Sequence, residues 1–171
     1  MTRRPAKSMN NIKNILLLLL LLTFTAITTV SAQAGRRPFT VVIDAGHGGK
    51  DVGTSYGNIY EKDINLSIAL EIKECLEQEG IEVILTRSSD EFISLEERAA
   101  TANQTDAEVF VSIHCNYYED DSSVSGVEGY YCSDSEEGKE LAECILNALG
   151  NNESITVRNV KSEEYYVLEY T

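Results

Sequence analysis

Hydrophobic and polar positions change their rhythm along the chain, and the rhythm predicts the elements. Ile15 to Val30 is a nearly continuous apolar run, whereas beyond residue 38 the runs are short and periodic. Phe39 to Ile43 is rich in β-formers and stops in Asp44-Ala45-Gly46-His47-Gly48-Gly49, which predicts a strand ending in a glycine loop. Residues 45–60 show no period and predict a long loop. From Lys62 to Glu79, Ile64, Ile68, Ile72 and Leu76 recur every four residues with charges between them, and Gly80 follows. This is the pattern of an amphipathic helix with its cap. Ile81 to Thr86 predicts a second strand, Leu95 to Thr105 a second helix, Glu108 to His114 a third strand and Val127 to Cys132 a fourth. Glu136 to Leu149 predicts a third helix, closed by Gly150 and Asn151. Strands alternating with helices define an α/β fold: an open, largely parallel central sheet flanked by helices.

The first apolar run belongs to something else. Arg3, Arg4, Lys7 and Lys13 precede it, and Ala32-Gln33-Ala34 follows it, which is the order of a secretory signal. Its 16 residues include four threonines and fall short of the ~20 that span a bilayer comfortably. Residues 1–34 are therefore expected to be a signal peptide and residues 35–171 the exported domain. Membrane association follows only if the segment stays uncleaved as an anchor.

Charge then narrows the partners. The chain has 28 acidic and 14 basic side chains, a net charge of −14. The first 34 residues hold four bases and no acid, so the remainder stands at −18. Such a field repels phosphate backbones and excludes nucleic acid as the expected partner. A monomer is expected. The four cysteines, Cys75, Cys115, Cys132 and Cys144, border apolar helix faces or strand ends, where buried free thiols are expected, and their spacing forms no metal cluster.

Two histidines in the whole chain restrict imidazole chemistry to His47 and His114. His47 lies just beyond the first strand, Arg87 just beyond the second and His114 at the end of the third. In a parallel sheet all three reach the carboxyl edge, where open α/β sheets bind ligands. Glu61, at the start of the first helix, leans back toward that edge and is kept ionised by the helix N-terminus. Two imidazoles and a carboxylate make an open zinc site whose fourth position takes water. Position alone leaves the bland alternative open, that these are ordinary surface histidines. Cys115 points away from its neighbour His114 on a strand, so a thiol dyad is disfavoured, and Ser112 is expected to be a small packing residue. The glycines after Asp44 match no phosphate-loop pattern. Glu119-Asp120-Asp121 is expected to be a solvated loop.

Val42-Ile43-Asp44-Ala45-Gly46-His47-Gly48-Gly49-Lys50-Asp51, then Glu61-Lys62-Asp63-Ile64-Asn65-Leu66, Thr86-Arg87, Ala102-Asn103, Val111-Ser112-Ile113-His114-Cys115-Asn116 and Gly126-Val127-Glu128 occur in order. Together they resemble the zinc-dependent N-acetylmuramoyl-L-alanine amidases of the bacterial cell wall, from about Phe39 to the last residue. The resemblance implies hydrolysis, by a zinc-activated water, of the amide joining N-acetylmuramic acid to the L-alanine of the stem peptide in peptidoglycan. It implies metal ligation by His47, Glu61 and His114, in a protein that is secreted or held at the cell wall. The loop 45–60 and Asn116 lie beside the same carboxyl edge, where loops usually carry specificity, and are expected to form the substrate groove. That family also carries a general-base glutamate on a strand near the end of the domain, in a segment like Pro-Ala-Val-Leu-Val-Glu. Here Arg158-Asn159-Val160-Lys161 and Tyr166-Val167-Leu168 lead to Thr171. The general base is thus expected beyond Thr171, with the last strand missing, and Glu163, Glu164 and Glu169 are expected to be solvated charges. Cys115 stands where a small residue is usual and Asn159 where glycine is common. The alternative to an active amidase domain is a catalytically impaired, zinc-containing peptidoglycan-binding domain.

Overall fold

The computed structural model describes residues 37–118 and 123–171. The expected signal segment 1–34 and the acidic run Glu119-Asp120-Asp121 lie outside the described residues. In chain order the elements are β1 (Thr40–Ala45), β2 (Ser55–Tyr56), β3 (Ile59–Tyr60), α1 (Glu61–Gln78), β4 (Glu82–Leu85), α2 (Leu95–Gln104), β5 (Val109–Ile113), β6 (Val127–Tyr131), α3 (Glu136–Gly150), β7 (Val157–Ser162) and α4 (Tyr166–Glu169). Among the described residues no helix is long and apolar enough to cross a membrane.

β1 lies between β4 and β5 and runs parallel to both, with Ile43 opposite Leu85 on one side and Val111 on the other. All of β1 is buried, as a parallel strand covered on both faces must be. Alternation assigns the covers. Val41, Ile43 and Ala45 cluster with Ala69 of α1 and Val83 of β4, while Asp44, out of phase by one residue, pairs with Arg98 of α2. Helix α2 begins at a capping box, the Ser94 hydroxyl accepting from the Glu97 amide and the Glu97 carboxylate accepting from the Ser94 amide. β6 and β7 form a separate parallel pair, and α3 packs on it. The expected class, parallel strands flanked by helices, is what the chain adopts.

Three expectations are corrected, and two elements are added. Residues 45–60 are not one irregular loop. Gly48 bridges Asp51, and β2 and β3 form an antiparallel hairpin around Gly57-Asn58, a turn sequence that strands of two residues make hard to see. On α1, Ile64 and Ile68 are 38% and 39% exposed, whereas Glu61, Asn65 and Ala69 are buried. A strict four-residue repeat drifts about 40° per step around a 3.6-residue helix, so Ile64 and Leu76 do not share a face. Cys75 and Cys144 are exposed free thiols and Cys115 and Cys132 are half-buried, because the buried stripes of α1 and α3 pass through Ala69 and Leu146 instead. Finally, β7 and α4 have no forerunner in the hydrophobic pattern. β7 reads Val-Arg-Asn-Val-Lys-Ser with most positions exposed, which shows no two-residue alternation.

Candidate metal centre

Parallel pairing aligns the ends of β1 and β5: Ala45 is in register with Ile113, and the Gly46 amide donates to the Ile113 carbonyl at 3.0 Å. His47 and His114 therefore leave the sheet side by side, with ring centroids 4.8 Å apart and planes 79° from parallel. Glu61, the first residue of α1, is 3% exposed and enters between them. Its Oε1 lies 3.2 Å from His47 Nε2 and 3.1 Å from His114 Nδ1, and one ligand atom from each of the three residues falls within a 4.8 Å span. About 3.3 Å separates neighbouring ligands of a tetrahedral zinc with bonds of about 2.0–2.1 Å, so the donor set fits that ion in spacing and in chemistry. The sequence placed these three residues at one edge, and the structure brings their donor atoms together.

The loop that carries His47 is held by two buried arginines. Arg87 donates to the carbonyls of Ala45 (2.8 Å), Gly46 (3.0 Å) and Lys62 (2.8 Å). Arg98 donates to the carbonyls of Ala45 and His47, both at 2.8 Å. Three consecutive carbonyls are thereby fixed, which supports the left-handed conformation of His47 (φ 60°), a conformation that ordinary residues seldom adopt. Arg87 was placed at this edge by its position after the second strand; its work there is structural.

The electrostatics suit a cation. Burial opposes ionisation of Glu61, but amide donors from Thr54 and Cys115, the adjacent His47 and the Asn65 amide outweigh it, so its carboxyl titrates below the usual range. Desolvation by the surrounding protein, followed by repulsion from His47, lowers the pKa of His114 even though its side chain is 46% exposed. A neutral imidazole and an ionised carboxylate are the forms that bind metal. Asp51 Oδ2 lies 2.9 Å from His47 Nδ1. A carboxylate there keeps the proton on Nδ1 and leaves Nε2 free to face Glu61.

Close approach explains two glycines. A Cβ on Gly46 would overlap the Cε1–Nε2 edge of the His114 ring and stand 2.7 Å from the Ile113 carbonyl. A Cβ on Gly53 (φ 67°) would stand 2.7 Å from both Glu61 Oε2 and His47 Cδ2. Gly46→Ala should push the His114 ring off its position. Overpacking of this kind costs about 1–3 kcal/mol, so affinity for a metal ion such as zinc should fall by about 5–150-fold. Competition with a chromophoric chelator measures it, and native affinity would show that the ring is not held against Gly46.

The remaining sequence candidates are placed as follows. Asn116 is exposed and its Nδ2 donates to Glu128 Oε2 at 3.2 Å. Glu128, with a side chain 7% exposed, accepts also from Tyr130 (2.6 Å) and Lys161 (3.0 Å) and faces Arg158. Chiefly the Tyr130 hydroxyl, then Lys161, hold its carboxyl below the usual range, which makes it a weak proton acceptor. The Ser112 hydroxyl is committed to Asp44 at 2.6 Å. Burial, then Glu61, raises the pKa of the Cys115 thiol, the opposite of a reactive thiolate. Glu163, Glu164 and Glu169 are exposed. The roles of Asp51, Asn65 and Arg98 are not predicted from the sequence. Asp51 and Asn65 do stand in the motifs around His47 and Glu61, which is the signal they carry, whereas Arg98 stands in none.

The His-Glu-His set at the edge of a parallel α/β sheet is a group that could hold a metal ion. The profile of a family described as N-acetylmuramoyl-L-alanine amidase (Amidase_3) matches residues 41–171, and the chain belongs to that family. It is 41% identical over 134 residues to YqiI, an uncharacterised protein of Bacillus subtilis (strain 168), which covers 77% of this chain and 64% of that one. It is 34% identical over 171 residues to the N-acetylmuramoyl-L-alanine amidase LytC of the same strain, covering 97% and 34% of the two chains. Among solved structures it resembles an N-acetylmuramoyl-L-alanine amidase from Clostridium difficile 630, with a TM-score of 0.75 at 36% identity over 80% of this chain and 75% of that one. It also resembles the amidase AmiC2 of Nostoc punctiforme, with a TM-score of 0.73 at 40% identity over 78% and 74%. The chain spans less than two thirds of the length of the two curated relatives.

Proposed function

We propose that this chain is a zinc-dependent amidase that cleaves the bond between N-acetylmuramic acid and L-alanine in peptidoglycan. The observation that carries the reading is the convergence of His47, Glu61 and His114, one ligand atom of each lying within 4.8 Å of the others, in a chain of this family. Zinc bound there supplies a Lewis acid for the amide carbonyl and lowers the pKa of a water to about 7. Asp51 orients His47, and the amides of Thr54 and Cys115 keep Glu61 ionised and aimed at the two rings. Asn116, two residues after His114 and hydrogen-bonded to Glu128, would orient substrate. The domain acts as a monomer outside the cytoplasmic membrane, exported by residues 1–34; a place at the wall is supported by the relative LytH of Staphylococcus epidermidis, described as a probable cell wall amidase.

Release of stem peptides from purified peptidoglycan tests the reading. With Glu128 a weak proton acceptor, the chain should release them slowly, chelator should stop the release, and added zinc should restore it. Asn116→Ala should lower the rate about tenfold or more with zinc content unchanged. Stoichiometric zinc without any release would replace this reading with a binding domain that does not turn over. Unaltered kinetics in Asn116→Ala would remove that residue from the groove.

A further inference from the structure

We propose that Asn65 is a positioning residue of the metal centre, a single buried amide that joins all three segments supplying the ligands. The inference rests on the zinc reading above and extends it to a residue that holds no metal itself. Asn65 sits one turn after Glu61 on α1 and is fully buried. Its Nδ2 donates to the Gly46 carbonyl at 3.2 Å and to Glu61 Oε1 at 3.4 Å. Its Oδ1 accepts from the Cys115 thiol at 3.5 Å. Gly46 precedes His47 and Cys115 follows His114, so the amide touches the His47 loop, the carboxylate ligand and the His114 segment together.

The chemistry of the amide matches this task and little else. Asparagine is a poor residue for a helix interior, and burying it costs free energy unless its hydrogen bonds are made. Helix stability and the adjoining core, where Ala69 lies one turn further on, would favour an apolar residue. Two donors on one side and an acceptor on the other are what these three partners need. The Gly46 carbonyl can only accept, which fixes the orientation of the amide. An aspartate of the same shape would set its carboxylate against the Gly46 carbonyl and Glu61 Oε1. A leucine would fill the space with no hydrogen bond to any ligand segment. Hydrogen-bonding partners that orient metal ligands typically carry about 10–100-fold in metal affinity.

The test uses the full chain, native and as Asn65→Asp and Asn65→Leu. Zinc affinity is measured by chelator competition, cobalt(II) absorption reports ligand geometry, and thermal unfolding of the metal-free protein reports the fold. The native chain should bind one zinc. Both variants should bind it about 10–100-fold more weakly and show shifted, weaker cobalt bands, while metal-free Asn65→Leu unfolds at or near the native temperature. Native zinc affinity and a native cobalt spectrum in Asn65→Leu would overturn the proposal. Loss of folded structure in both variants, with or without zinc, would assign the amide to the fold and overturn it as well. A native chain that binds no zinc is a separate result: it removes the metal reading itself, and the positioning role falls with it.

Discussion

Purified chain carrying His47→Ala or His114→Ala should lose its zinc on dialysis against a mild chelator, whereas the native chain keeps about one equivalent. A protein zinc site binds with about 10–16 kcal/mol, so each of four ligand positions carries about 3–4 kcal/mol, or about 10²–10³ in affinity. Two features keep the remaining residues from compensating. Arg87 and Arg98 fix the loop carbonyls from Ala45 to His47, so the backbone does not slide a substitute into place. Asp51, the carboxylate nearest His47, already faces its Nδ1. Metal analysis of the three proteins decides the matter, and equal zinc in all of them would eliminate the triad.

Asp44→Ala should be the most destabilising single change at the sheet. The Asp44 side chain is 1% exposed and ion-paired at 2.6 Å with Arg98, itself 4% exposed, and it also accepts from the Thr86 and Ser112 hydroxyls, both at 2.6 Å. Truncation leaves a buried guanidinium without its counter-charge, a change that costs about 3–5 kcal/mol. Against a total stability of about 5–15 kcal/mol, that is a large share, and the melting temperature should fall by about 10–20 °C. The zinc site should weaken in parallel, because Arg98 also holds the His47 carbonyl. Calorimetry with and without zinc measures both effects. A drop of only a few degrees would show that water or another anion takes the place of the carboxylate.

The triad was legible in the sequence because its geometry follows from backbone topology. His47 ends one strand and His114 another, Glu61 starts a helix, and parallel pairing brings strand ends to one edge whatever the side chains do. Asn65 and Arg98 were hidden because their partners depend on side-chain paths. Asn65 reaches Gly46, 19 residues back, and Arg98 reaches the His47 carbonyl across 51 residues. No local period encodes such a link. The same limit explains Ile64 and Ile68, whose spacing suggested core while the first turn of α1 turned Glu61 and Asn65 inward toward the ligands. Short elements failed for a different reason: β2 and β3 have two residues each, too few for an alternation to register.

The β2–β3 hairpin has a further meaning for engineering. It hangs between two ligands along the chain, yet the fastenings of the centre lie outside its tip: the Gly48–Asp51 bridge and the Thr54 carbonyl, which accepts from the Glu61 amide at 2.9 Å. Tyr56 and Ile59 flank the tip at 86% and 58% exposure, and a Cβ on Gly57 would meet nothing within 4 Å. Lengthening a loop at such a point costs only about 0.6 kcal/mol per doubling. The turn at Gly57-Asn58 is therefore a splice point, where inserted sequence would extend into open space and leave the ligand frame in register.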